Sequence, residues 1–368
     1  SDVSDLTINY PATLESETIA CDLARLADQA DGNILIEPLN ELSQTDYAGE
    51  ASTDQSNLKA PDFTGKIDRT WCVSSFSNLT AGPLHSHDFH AQERSWTHDE
   101  SNLAGELVDQ DAFSSFMDFP KGATAGSCLH MLFENLDFCT TSQAAIEQVT
   151  QSALKAFDFD LRWTPAVMTM VKRTLATPIM TPEGGTFCLQ QISRQDQLPE
   201  MEFLLPLGMI ETTSLAKIFA DHSADLGQPE DFASHLNELG FARHHGMLQG
   251  FIDLIFRHEG RYYLLDWKSN FLGTSPEAYR QEALGSAMES SYYTLQYHLY
   301  LVALHRYLST TLPGYNYTTH FGGVVYAYLR GTALNTGPEE ALGIYSDYPE
   351  LALIEALTNY LKNGKEAA

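Results

Sequence analysis

The spacing of apolar residues along the chain alternates between helical and strand-like patterns. Apolar residues three and four positions apart predict helices at about 16–28, 125–138, 145–157, 281–307 and 348–362. Runs of apolar, β-prone residues bounded by turn residues predict strands at about 201–207, 246–257, 261–267 and 321–329. Interspersed helices and strands predict an α/β fold with a central mixed sheet that is flanked by helices.

The pattern also divides the chain into three regions. Residues 1–44 contain the single predicted helix at Ser16 to Asp28, and residues 45–70 are rich in Ser, Thr, Asp, Gly and Pro, which predicts a flexible linker. Residues 71–368 predict one globular domain. A membrane span needs about 18 consecutive apolar residues, and the chain has no such run and no signal-peptide pattern, so we expect a cytoplasmic protein without a membrane partner.

Composition adds one unexpected property. The chain has 49 acidic and 21 basic residues and a net charge of -28, which is the opposite of the basic surface typical of DNA-binding proteins. Its five cysteines are scattered, which favours reduced thiols over a disulfide framework. The segment around Gly65 and Lys66 lacks the remaining residues of a phosphate-binding loop, so we expect no ATP site.

Candidate chemistry is concentrated in two neighbouring predicted strands. Asp253 and Asp266 interrupt apolar runs, and a short polar turn between the strands predicts a hairpin that brings the two carboxylates together. Lys268 lies on the same face as Asp266 because side chains alternate along a strand. A divalent cation held by Asp253 and Asp266, with Lys268 facing a reacting phosphate, would suit phosphodiester hydrolysis. The alternative is a hairpin with ordinary solvent-facing charges, which fits Asp253 but fits Asp266 poorly.

The Asp253, Asp266 and Lys268 spacing resembles the D…(D/E)-x-K pattern of the PD-(D/E)XK nuclease superfamily. Longer segments resemble the nuclease domain of the RecB family, which belongs to bacterial helicase-nuclease complexes. In chain order they are FPKGATAGSCLHMLFENLDF at 119–138, MEFLLPL at 201–207, GMLQGFIDLIFRHEGRYYLLDWKSNFLG at 246–273, LQYHLYLVALHRYL at 295–308, HFGGVVYAYLRG at 320–331 and GIY at 343–345. The resemblance implies a restriction-endonuclease-like fold.

It also implies a set of site residues. His130 corresponds to a metal ligand of the family, so the implied ligands are His130, Asp253 and Asp266, with Mg²⁺ as the ion and Mn²⁺ as an alternative. Glu202 corresponds to an acidic residue that completes the site. Lys268 would steady the attacking water or the charge that develops on the phosphate.

Three further residues are implied to support the site or contact the substrate. Glu134 lies four residues after His130 on the same predicted helix face. Gln296 and Tyr300 match a Q-x-x-x-Y signature whose residues contact DNA or orient the lysine. Without the resemblance, Tyr300 would be interpreted as an ordinary half-buried aromatic residue.

The resemblance finally implies a function. The chain would be the Mg²⁺-dependent DNA nuclease module of a RecBCD-type helicase-nuclease in double-strand-break repair, an exodeoxyribonuclease V type of enzyme, and residues 1–44 would be a remnant of the preceding helicase region. Its partners would be a single DNA strand fed by the motor, RecC-like and RecD-like subunits, and RecA. Two alternatives remain: a stand-alone endonuclease of the same superfamily, and an inactive nuclease-like domain that only binds partners or DNA.

Overall fold

The computed structural model describes residues 16–29, 34–36, 71–80, 113, 115–140, 142–222, 231–239, 244–337 and 340–364. The chain divides into two units, Ser1–Lys66 and Ile67–Ala368. The first unit contains helix α1 (Ser16–Gln29), which confirms the predicted helix. The predicted linker at 45–70 lies outside the described residues, and the predicted domain boundaries stay predictions.

The described part of the second unit contains helices and strands that alternate along the chain. The helices are α2 (Phe76–Thr80), α3 (Ala123–Asn135), α4 (Gln143–Ala156), α5 (Thr164–Ala176), α6 (Thr212–Asp221), α7 (Asp231–Leu236), α8 (Gln281–Ser290), α9 (Tyr293–Thr311), α10 (Tyr317–His320), α11 (Leu329–Thr332) and α12 (Leu351–Asn363). The strands are β1 (Trp71–Ser74), β2 (Pro178–Met180), β3 (Thr186–Cys188), β4 (Gln197–Ile210), β5 (His244–His258), β6 (Arg261–Lys268), β7 (Phe321–Tyr328) and β8 (Ile344–Asp347). Within these described ranges, no helix is long and apolar enough to cross a membrane.

A six-stranded mixed sheet organises this unit, which confirms the predicted fold class. Strand β5 pairs along most of its length with antiparallel β4. On its other side it pairs first with parallel β1 and then with antiparallel β6. Strand β7 continues the sheet parallel to β6, and β8 closes it antiparallel to β7. Strands β2 and β3 form a separate two-stranded sheet.

The predicted hairpin between β5 and β6 is present. His258 pairs with Arg261, so the turn consists of the two residues Glu259 and Gly260. Both have positive φ angles, 47° and 81°, which is the conformation that matches the twist of the two strands. The turn therefore fixes the register that sets Asp253 beside Asp266.

Alternating residues of the central strands pack into two hydrophobic cores, one on each face of the sheet. On β6, Leu264 packs into the core that includes α9 and α12, whereas Leu265 and Trp267 pack into the core that includes α3 and α5. All eight residues of β7 are buried. A strand that is buried on both faces shows a continuous apolar run, which explains why β6 and β7 were predictable.

Several features differ from the predictions. The helix predicted at 281–307 is two helices, α8 and α9, which are separated by Ser291 and Tyr292. Tyr292 has a φ angle of 55°, so the chain turns sharply there and the apolar spacing does not reveal the break. Strands β1 and β8 have only four residues each, too few for a recognisable alternation. Helices α5 and α6 and the small sheet of β2 and β3 also lie outside the predicted elements.

Candidate active site

Three carboxylates lie in one row across three adjacent strands. The ladder on either side of Glu200 in β4 places it opposite Asp253 in β5. The ladder between β5 and β6, continued by one residue, places Asp253 opposite Asp266. Residues that face each other on neighbouring strands have Cβ atoms about 4.5–5.5 Å apart, so negative charge is concentrated here.

One imidazole joins two of these carboxylates. Ligand atoms of His130, Glu200 and Asp253 all lie within 4.8 Å of one another. Glu200 has a φ angle of 50°, which is uncommon for a residue other than glycine. Carboxylate oxygens suit Mg²⁺ and Mn²⁺, and an imidazole suits Mn²⁺ better than Mg²⁺. The three side chains therefore fit a divalent cation.

His130 is held against the sheet by its position on α3. Its Nε2 atom lies 3.0 Å from the carbonyl oxygen of Trp267, and its Nδ1 atom lies 3.5 Å from Oδ2 of Asp253. Burial alone would lower the pKa of His130, but Asp253 and Asp266 outweigh it and raise the pKa to about 9. The ring of Phe133, one turn later on α3, stacks on Trp267 with centroids 4.1 Å apart.

Asp253 has two partners besides the cation that it would bind. Its Oδ2 atom accepts a hydrogen bond of 2.8 Å from the backbone N–H of Trp267. Burial opposes its ionisation, but His130 and Lys268 outweigh that effect and hold the pKa of the Asp253 carboxyl below its usual range. Asp253 is therefore ionised at neutral pH.

Asp266 and Lys268 form a buried ion pair at the end of β6. Lys268 Nζ lies 2.6 Å from Asp266 Oδ2. Lys268 is only 7% exposed and Asp266 only 2%. Burial and the Asp253 charge raise the pKa of Asp266 to about 6. Burial opposes the Lys268 charge, but Asp266 outweighs it and raises the pKa of Lys268, so the ammonium is charged at neutral pH.

A polar and aromatic shell fixes the Lys268 ammonium. It donates a hydrogen bond of 3.2 Å to Oε1 of Gln296 on α9, and that oxygen also accepts one of 3.0 Å from the Tyr326 hydroxyl. Gln296 Nε2 donates one of 3.1 Å to the Tyr300 hydroxyl. The ammonium also lies 4.0 Å from the centre of the Tyr293 ring, a cation–π contact.

The structure brings together most of the residues that the sequence singled out. His130, Asp253, Asp266 and Lys268 meet, Gln296 contacts the lysine, and Tyr300 contacts Gln296. The metal group, by which we mean His130, Glu200 and Asp253, contains Glu200 in place of Asp266. Glu134 is half-buried one turn after His130, and its backbone carbonyl oxygen accepts a hydrogen bond of 3.1 Å from Arg194.

Glu202 was expected to complete the site as its further acidic residue, but it lies outside the group of His130, Glu200 and Asp253. Its side chain is exposed and accepts a hydrogen bond of 2.7 Å from Gln249. The ladder explains the difference, because Glu202 faces Phe251 whereas Glu200 is opposite Asp253. The alternation alone puts both glutamates on one face, so only the register of β4 could have identified Glu200.

Tyr293 and Tyr326, whose rings lie near the Lys268 ammonium, carry no signal in the sequence. Tyr326 pairs with Asp266 across the parallel β6–β7 ladder. Tyr293 is the first residue of α9, immediately after the unpredicted break. Buried tyrosines in an apolar run give no sign of a polar contact, and only the pairing of β6 with β7 could have indicated Tyr326.

The chain is similar to one known superfamily and to several known proteins. Residues 197–367 match the PD-(D/E)XK nuclease superfamily. The RecBCD enzyme subunit RecB of Escherichia coli (strain K12) is 41% identical over 236 residues, which cover 64% of this chain and 19% of that protein. The same subunit of Haemophilus influenzae is 32% identical over 83% of this chain and 25% of that protein. The subunit of Mycobacterium tuberculosis is 30% identical over 82% of this chain and 30% of that protein.

This chain thus spans between 19% and 30% of the length of these three relatives. The superfamily match includes β4 to β7, the strands that carry Glu200, Asp253, Asp266 and Lys268. Residues 197–367 belong to the PD-(D/E)XK nuclease superfamily, and the chain is a relative of the RecB subunits.

Proposed function

We propose that the chain hydrolyses DNA phosphodiester bonds as the nuclease module of a RecBCD-type enzyme in double-strand-break repair. The observation that carries this proposal is the metal group of His130, Glu200 and Asp253 next to the buried pair of Asp266 and Lys268. One side of the site could hold a cation, and the other side presents the fixed positive charge of Lys268. A reacting phosphate between them would meet both.

In this proposal His130, Glu200 and Asp253 hold the metal ion, and Mg²⁺ or Mn²⁺ is the ion that they bind. Asp266 stays in the proposal as a further ligand because its charge acts on His130 and Asp253 at close range. The cation, when bound, would polarise a phosphate oxygen and activate water. Glu200 replaces Glu202 as the acidic residue that completes the group.

Lys268 has a separate task that needs no change of protonation. Its ammonium is already charged, buried and held by Asp266, Gln296 and the Tyr293 ring. A fixed charge in a dry site stabilises the negative charge that develops on the phosphate without reorganisation. Gln296 and Tyr300 orient this ammonium, and Glu134 stays a proposed substrate contact.

The remaining parts of the proposal come from the relatives. Those proteins are named as RecB subunits of the RecBCD enzyme. We extend this to the present chain as a cytoplasmic module that receives one DNA strand from a helicase motor and works with RecC-like and RecD-like subunits, with RecA as a further partner. The stand-alone endonuclease and the inactive domain are the competing proposals.

The test is cleavage of single-stranded DNA by this chain with Mg²⁺, with Mn²⁺ and with excess chelator. We expect cleavage with either metal ion and none with chelator, and Asp253→Asn should abolish it because the group loses a ligand charge. The exposed variant Asp221→Asn is the matched control and should cleave normally. Undiminished cleavage in chelator would overturn the metal proposal, and metal binding without cleavage would favour the inactive domain.

A further inference from the structure

Arg330 is a charged residue that is completely buried just after β7. It is 0% exposed and lies in the short helix α11. Burying a charged group is costly unless every polar atom finds a partner. A guanidinium carries five N–H groups, so the groups that accept these hydrogen bonds show which segments of the fold Arg330 joins.

Arg330 donates five hydrogen bonds, each to a backbone carbonyl oxygen. Nε donates to Ser269 at 3.0 Å. The two terminal nitrogens donate to the segment 116–120, with acceptors at Phe116, Met117, Phe119 and Pro120 and distances of 3.3, 3.1, 3.0 and 2.9 Å. One side chain thus joins two segments that are far apart in the sequence.

Both segments lead directly to proposed site residues. Ser269 follows Lys268, the last residue of β6. The segment 116–120 leads through Gly122, whose φ angle is 100°, into α3, which carries His130. The middle of α3 is fixed separately, because His130 and Phe133 both contact Trp267. Arg330 therefore ties the segment that leads into α3 to the end of β6, in addition to the contacts that the middle of the helix makes with Trp267.

We propose that Arg330 is a positioning residue that sets α3, and with it His130, in register with the end of β6. This inference rests on the proposed function, because His130 matters as a metal ligand only there. The five hydrogen bonds of Arg330 go to residues 116–120 and Ser269, which are outside the metal group. Lysine could not replace it, since an ammonium has three donors and no planar fork.

The experiment measures Mn²⁺ affinity without DNA for the whole chain and for Arg330→Lys. We expect the affinity to fall by about 10–100-fold, the usual effect of losing a residue that orients a metal ligand. Arg261→Lys is the matched control, because Arg261 donates hydrogen bonds to the carbonyl oxygens of Thr318 and Phe321 at the opposite end of β6. It should leave Mn²⁺ affinity unchanged even if it lowers thermal stability.

A double-mutant cycle separates positioning from a general structural effect. In a His130→Ala background, Arg330→Lys should cost no further Mn²⁺ affinity, because the ligand that it positions is already gone. Hydrogen exchange of 123–135 should also become faster in Arg330→Lys than in Arg261→Lys. Unchanged Mn²⁺ affinity, or a loss that adds fully to that of His130→Ala, would overturn the proposal.

Two further measurements cover the remaining outcomes. If Arg330→Lys does not fold, a second variant takes its place, with two glycines inserted after Gly122. This insertion should uncouple α3 from the segment 116–120 while keeping all five Arg330 hydrogen bonds, and we again expect Mn²⁺ affinity to fall. Unchanged Mn²⁺ affinity in this variant would overturn the proposal. If the parent chain binds no Mn²⁺, the proposed function fails. Positioning is then judged by hydrogen exchange alone, and unchanged exchange in 123–135 overturns it.

Discussion

At the scale of single residues, a proton would compete with the proposed metal ion for His130. Its pKa is raised to about 9 because Asp253 and Asp266 outweigh burial, so the imidazole is protonated at neutral pH. A protonated imidazole cannot bind metal. Mn²⁺ affinity should therefore rise by about tenfold per pH unit below pH 9 and level off above it, as one proton is released per ion bound.

Calorimetry in buffers of different ionisation enthalpy measures this proton release. Burial and the Asp253 charge raise the pKa of Asp266 to about 6. The pH dependence of Mn²⁺ affinity should therefore steepen below that pH, because a second proton competes with the ion. His130→Ala should bind Mn²⁺ more weakly but lose the dependence between pH 7 and 9. A pH-independent affinity in the parent chain over that range would contradict the competition.

The buried pair of Lys268 and Asp266 gives a second residue-scale prediction. Lys268→Met should lower the single-turnover cleavage rate by about 10²–10³-fold, the scale for losing one fixed charge stabiliser. It should also cost roughly 3–5 kcal/mol of unfolding free energy, because Asp266 is left buried without its partner. Adding Asp266→Asn should recover much of the stability but none of the cleavage, as measured by urea unfolding. Cleavage at the parent rate in Lys268→Met would make Lys268 structural.

At the scale of secondary-structure elements, the register of β4 determines which glutamate joins the site. Glu200 is opposite Asp253 and has a positive φ angle, whereas Glu202 is exposed and bonded to Gln249. Glu200→Gln should therefore lower Mn²⁺ affinity by about tenfold or more, whereas Glu202→Gln, two residues away, should leave it within a factor of about two. The same calorimetric titration checks both. If Glu202→Gln lost more Mn²⁺ affinity than Glu200→Gln, Glu202 would be the acidic residue that completes the site.

The same elements show how far the sequence determines the structure. Strands β5, β6 and β7 and the turn at Glu259 and Gly260 were predictable because their apolar runs and turn residues are local signals. The break at Tyr292 was not, because helical spacing continues across it. It matters to the site, since the turn places Tyr293 at the start of α9 beside Lys268.

Residues whose role depends on distant partners could not be predicted from local patterns. Asp266 and Lys268 share a strand, so their pairing follows from alternation. Glu200 needs the β4–β5 register, and the partners of Arg330 are more than 60 and more than 200 residues away in sequence. A single arginine after an apolar strand is more often exposed than buried, so its burial emerges only from the tertiary fold.

At the scale of the whole molecule, the net charge of -28 opposes the proposed substrate. Proteins that hold DNA by themselves neutralise phosphates with Lys and Arg and release counterions. This chain has 21 such residues against 49 acidic ones. Two of them, Lys268 and Arg330, are buried in the site and in its support. Long-range electrostatics should therefore slow the approach of DNA even though the site itself is arranged for a phosphate.

The isolated chain and its assembly should therefore differ in how they handle DNA. The chain alone should bind single-stranded DNA weakly, with binding that weakens further as salt increases, and should cleave it slowly and with little sequence preference. Joined to a helicase motor and its companion subunits, the same site should cleave processively, because threading raises the local concentration of the strand. DNA affinity and cleavage rate measured at one salt concentration, for the chain and for the assembly, compare the two directly. If the chain equals the assembly in both, it recruits DNA by itself, and the delivery of the strand by other subunits must be abandoned.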